Sequence, residues 1–153
     1  MDLIREAVLY GIYCGGLGVG LTMIRNISSY TLKYVFGAAF FCGSIYTLIN
    51  GATGWTIVAA FAGAFAAAAW IRVFFEKECY GLYFGLVITS VYCICPGVAL
   101  ANMFDGILTG DMAVILSKLQ RIVIMGAGLS LGIVVSGLVM DRIYGHRVPE
   151  ELR

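Results

Sequence analysis

Charge is what this sequence has least of. Only 12% of its 153 residues are charged, about half the share of a soluble domain. Ten basic and nine acidic residues leave a net charge of +1, so no broad positive field exists to hold phosphates. These two shortages exclude a soluble domain and a nucleic-acid binder. Histidine occurs once, at His146. Together with the absence of any nucleophile–base pairing, this leaves no Ser/His/Asp or Cys/His set. No G-x-x-x-x-G-K stretch is present, so ATP-driven transport by this chain has no support. The five cysteines, Cys14, Cys42, Cys79, Cys93 and Cys95, are odd in number and fit no zinc spacing. They read as small apolar residues. No metal site and no cofactor is expected, and the chain is not read as an enzyme.

What remains is apolar. Hydrophobic residues make up 61% of the chain, and mean hydropathy is +0.93. This also excludes a disordered chain. The charges cluster at 2–6, 25–33, 72–78, 105–121 and 141–153, leaving charge-free runs at 7–24, 34–71, 79–104 and 122–140. A helix needs about 20 apolar residues to cross a bilayer. The run 34–71 is long enough for nearly two crossings, and Asn50-Gly51-Ala52-Thr53-Gly54 within it is turn chemistry. The expectation is an all-α integral membrane protein, one transmembrane domain over 1–153. Its five spans fall near 7–24, 30–49, 55–75, 80–103 and 122–140. The runs do not alternate, which argues against a β-barrel.

Five spans put the termini on opposite sides of the bilayer. Arg5, Lys118 and Arg121 fall on one side. Arg25, Lys33, Arg72, Lys77, Arg142, Arg147 and Arg153 fall on the other. The positive-inside rule then places the N-terminus outside and the C-terminus in the cytoplasm of a cell membrane. Tyr30, Tyr34, Trp70 and Tyr80 mark the inner interface, and Trp55 the outer one. The mixed-charge start and the missing A-x-A-like site argue for a retained first span rather than a cleaved signal.

Small residues fill three spans. Gly11/Gly15 and Gly16/Gly20 are i,i+4 pairs in the first. Alanines crowd the third, and Gly126, Gly128, Gly132 and Gly137 lie in the fifth. Such residues let helix backbones approach closely, either within the bundle or against a partner.

The fourth run holds the most informative segment. Pro96 removes a helical hydrogen bond and clashes with the carbonyl of Tyr92. Gly97 adds freedom. A break is therefore expected at about Cys95–Gly97, with a new helix starting there. Its free N–H groups at Gly97, Val98 and Ala99 would point into the membrane interior and attract a carboxylate. Broken helices recur at mid-membrane solute sites. A plain proline kink is the alternative. Asn102 and Asp105 are three apart and share a helix face. Pro96, Gly97, Val98 and Asn102 are the candidate substrate-binding residues. Asp105, roughly 13 Å beyond Pro96 along a helix, is either a proton-coupling or gating residue or an ordinary helix-end carboxylate. Asp111 reads as a cap for the next helix or as a solvated residue.

The stretch P-G-V-A-L-A-N followed by D-G-I-L-T-G-D resembles the signature of the threonine/serine exporter (ThrE) family. Pro96, Gly97, Asn102, Asp105, Gly110 and Asp111 match. Ala101 stands where Thr is common, and Phe104 where a basic residue is common. The layout is similar to the small five-span subunit of that family. The resemblance implies secondary export of small amino acids such as threonine and serine, or of dicarboxylates such as succinate. It also implies a larger membrane partner with another five spans. A homo-oligomer, or a purely structural subunit whose small-residue helices stabilise a partner, are the other readings of the same residues.

Overall fold

The computed structural model describes residues 2–27, 29–74 and 80–144, and among them there is no strand. Six helices follow one another: α1 (Asp2–Ile24), α2 (Leu32–Thr53), α3 (Thr56–Phe74), α4 (Tyr80–Val91), α5 (Gly97–Thr109) and α6 (Met112–Tyr144). Four helical segments are long and apolar enough to cross a membrane: Asp2–Ile24, Ser29–Thr53, Thr56–Phe74 and Met112–Ile143. A fifth crossing is available if the bent pair Tyr83–Ile94 and Ala99–Thr109 is one span.

The turns form where the local chemistry directs. The α2–α3 turn lies where Asn50–Gly54 is expected, but helix persists to Thr53 and only Gly54 turns, in the left-handed region at φ 70°. Glycine is the residue that adopts this without strain. Gly110 does the same at the end of α5, at φ 73°, and its N–H donates to the Gly106 and Ile107 carbonyls. Asp111 then starts α6 as a cap. Its Oδ1 accepts from the N–H of Ala113 at 3.0 Å and of Val114 at 3.3 Å, satisfying two donors that the first helical turn leaves open.

Close backbone packing sets the order of the helices. Leu3 lies on Gly51, Cys14 on Gly43, and Val35 and Ala39 on Gly18, so α1 and α2 run antiparallel. Gly63 of α3 abuts the Cys42 carbonyl of α2 and the Ile94 side chain beyond α4. Gly128 meets the Ile57 carbonyl and Gly132 the Phe61 carbonyl. Helices α3 and α6 therefore run parallel, with the α4–α5 passage returning the chain between them. The core is small and apolar: Val35, Ala38, Cys42, Ala60, Ala64, Ala67, Ala68, Ile71, Leu86 and Val87 are fully buried. Alanine and glycine there let the helices approach to van der Waals contact.

The glycine pairs of α1 are not equivalent. Gly11 and Gly15 face Ser44, Phe40 and Phe36 of α2, whereas Gly16 and Gly20 face open space. On α6, Gly128 and Gly132 are packed, and Gly126 and Gly137 are open. At the far end of the parallel pair, Arg72 of α3 donates to Asp141 of α6 at 2.5 Å. Its guanidinium lies 5.4 Å from the Tyr83 ring centre, a cation–π distance. Leu3 beside Gly51, and Asp141 beside Arg72, put the two ends of the described chain at opposite ends of the bundle.

One boundary differs greatly from the sequence expectation. Helix α6 begins ten residues before 122, at Met112, and has 33 residues, roughly 50 Å at ~1.5 Å per residue. That exceeds the ~30 Å hydrocarbon core. Lys118 and Arg121 are thus helical residues packed near α5, not loop charges.

Candidate functional site

The helix break is where proline chemistry predicts it, and wider. Helix α4 stops at Val91, and one 3-10 turn covers Tyr92–Ile94. Cys95 is extended, at φ −61° and ψ 140°, as the residue before a proline tends to be. Pro96 caps α5 and Gly97 opens it. The two halves meet at 57°. The Cys95 N–H returns to the Tyr92 carbonyl at 3.1 Å, and the Gly97 N–H to the Cys95 carbonyl at 2.7 Å. Gly97 is therefore not one of the free donors that the sequence suggests. The first intrahelical bond of α5 is Leu100 N–H to the Pro96 carbonyl, 2.9 Å. Helix α5 has no side-chain cap, so its first turn leaves the Val98 and Ala99 N–H groups available to a ligand.

A cavity of about 250 Å³ lies at this break. The break itself supplies Cys93, Ile94, Cys95 and Pro96, and α5 supplies Ala99 and Asn102. Tyr10 of α1 and Tyr46 of α2 complete one wall. Both lie within about one turn of the midpoints of their helices, so the cavity reaches the middle of the bundle. The remaining wall is α6: Lys118, Arg121 and Met125. These are spaced i, i+3 and i+7, one stripe of a helix.

The electrostatics of the cavity are one-sided. Two cations line it and no carboxylate does. Among the described residues, Lys118 and Arg121 take part in no ion pair; Arg72–Asp141 is the pair that forms. Arg121 is exposed and Lys118 half-buried, so water reaches both, and an anion in the cavity would gain charge-assisted hydrogen bonds from them. The neutral groups around it, the Asn102 amide and the two tyrosine hydroxyls, both donate and accept. The volume suits a molecule of a few heavy atoms.

The structure thus brings Pro96 and Asn102 of the expected set to one cavity, with Gly97 exposed beside it. The side chain of Val98 lies outside the described residues. Asp105 is exposed on α5, three residues past Asn102, and does not line the cavity. Tyr10, Tyr46, Lys118 and Arg121 are absent from the sequence expectation. The thiols divide as well. Cys14 and Cys42 are buried, Cys93 is half-buried, and Cys95 is exposed at the cavity wall. Cys95 is therefore not the buried thiol that the apolar run implies. Cys79 and His146 lie outside the described residues. The chain matches no family model, no curated protein and no solved structure.

Proposed function

We propose that this chain is one five-span half of a secondary transporter that exports small carboxylates across the cell membrane. In this reading α4 and α5 form a single broken span. The N-terminus is outside and the C-terminus cytoplasmic, on the seven-to-three distribution of Lys and Arg. The observation that carries the reading is the cavity at the break, with Lys118 and Arg121, in no ion pair among the described residues, in its wall. The substrate carboxylate meets these cations and the first-turn N–H groups of α5, and Asn102 orients the rest of the molecule.

The sequence resemblance to the threonine/serine exporter family supports the same class. Within that class, the cavity charge favours a dicarboxylate such as succinate. A second carboxylate has a second cation to meet, while the ammonium of threonine or serine finds only neutral acceptors among Asn102, Tyr10 and Tyr46. Those acceptors are what supports the amino-acid reading. Five spans enclose the cavity incompletely, and a larger five-span partner completes it. The open glycines Gly16, Gly20, Gly126 and Gly137 suit close approach of its helices.

Cys95 offers a direct test in the unmodified chain. A maleimide reaction at Cys95, followed by mass spectrometry in membranes containing both subunits, is expected to slow saturably as succinate is added. The buried Cys14 and Cys42 are the internal comparison. A Cys95 rate indifferent to succinate, threonine and serine alike would remove the cavity from the proposal.

Asp105, exposed on α5 and outside the cavity lining, keeps its proposed role in proton coupling or gating. Asp105→Asn is expected to slow export while leaving succinate protection of Cys95 intact. Wild-type export at equal protein level would reduce Asp105 to a helix-end carboxylate.

A further inference from the structure

Beside the stripe of α6 that faces the break, a second and more open recess of about 440 Å³ is lined by Asn50, Gly54 and Thr56 around the α2–α3 turn and by Ser117, Gln120, Arg121 and Ile124 of α6. Its walls are mixed polar and apolar, and Arg121 is their one charge. The register of α6 explains why the two spaces meet there. Lys118, Arg121 and Met125 form the stripe facing the break, while Ser117, Arg121 and Ile124 form the neighbouring stripe. Arg121 stands on the ridge between them and is the residue common to both linings. It is exposed and has no ion-pair partner among the described residues.

We propose that the second recess is a further carboxylate site in series with the first, and that Arg121 passes the substrate between them. This rests on the exporter reading. The planar guanidinium has five donors, so it can hold a carboxylate from one side while releasing it from the other. The inner site adds Lys118 and the α5 N–H groups; the outer one adds only the neutral amide donors of Asn50 and Gln120, since the Thr56 hydroxyl donates to Asn50 Oδ1 at 3.4 Å and the Ser117 hydroxyl to the Val114 carbonyl at 2.9 Å. The outer site is therefore the weaker, by roughly tenfold for one lost charge-assisted bond. A weak second site lets a substrate leave a tight first one. The recess lies at the end of the bundle where the α2–α3 turn sits, the outer end in the proposed orientation. It is the exit vestibule.

The test adds one thiol. Ser117 is exposed, so Ser117→Cys is conservative. With both subunits in proteoliposomes, maleimide labelling is followed at position 117 and at Cys95 while succinate is titrated. Succinate is expected to slow both reactions, with half-protection at 117 needing roughly tenfold more. Lys118→Gln is expected to weaken protection at Cys95 alone, and Arg121→Gln at both positions. Protection at Cys95 but not at 117 would overturn the vestibule site and leave the exporter reading standing. Equal half-protection at both positions, or protection at 117 that survives Arg121→Gln, would overturn sites in series joined by Arg121. Protection at neither position would remove the exporter reading itself.

Discussion

Arg121→Gln is expected to weaken succinate binding by roughly ten- to hundredfold, with protein level and fold unchanged. The side chain is exposed at the cavity wall and has no hydrogen-bond or ion-pair partner among the described residues, so its loss leaves none of them unsatisfied. What is lost is a charge-assisted hydrogen bond to the anion, worth about 1.5–3 kcal/mol, and each 1.4 kcal/mol is a factor of about ten. Arg121→Lys keeps the charge but not the fork, and restores binding in part. Lys118→Gln has a similar direction at the inner cavity. Binding should also weaken with salt, since both cations are near solvent. Half-saturation of Cys95 protection measures all three variants. An unchanged half-saturation in Arg121→Gln would show that the cations of α6 do not hold the ligand.

The largest effect on stability is expected from Gly132→Leu. A Cβ at Gly132 would sit 2.5 Å from the Phe61 carbonyl oxygen, 2.9 Å from the Ala64 Cβ and 3.1 Å from the Phe65 backbone nitrogen. None of these is the movable end of a side chain, so α3 and α6 must separate. Overpacking costs about 1–3 kcal/mol where a site can adjust; here backbone lies on both sides, and the cost is at the upper end. Gly137→Leu on the same helix is the control, because a Cβ there meets nothing within 4 Å. Denaturant unfolding of the single chain in detergent should destabilise the first variant strongly and the second little. Function should follow stability, since α6 carries Lys118 and Arg121 and α3 fixes its position. Equal stability of the two variants would contradict the parallel α3–α6 packing.

The fold was legible in the sequence wherever one residue dictates backbone geometry. Pro96 announces the break, Asn50–Gly54 the turn, and Asp111 the cap of α6. The start of α6 was not legible, because counting charges assigns Lys118 and Arg121 to a loop. A helix cap followed by a long run without Gly or Pro was the available signal, and Met112–Met125 provides it. Half of the candidate site was legible for the same reason. Pro96 and Asn102 belong to a segment whose local chemistry is unusual. Tyr10 and Tyr46 are ordinary span residues by sequence, and they reach the cavity only because α1 and α2 pack through Gly11, Gly43 and their neighbours. The same packing separates Gly11/Gly15 from Gly16/Gly20, which the i,i+4 spacing alone treats alike.

Efflux from cells lacking their own exporters tests most directly whether this chain contributes a carboxylate site at the Pro96 break to a two-subunit exporter. The cells, loaded with a threonine dipeptide or forming succinate, express the larger subunit alone, this chain alone, both, or both with Pro96→Ala. Efflux of succinate, or of threonine, is expected only when both chains are present, with a marked fall for Pro96→Ala at normal protein level. Full efflux from the larger subunit alone, or from both chains regardless of Pro96, would contradict that contribution and leave this chain a structural subunit.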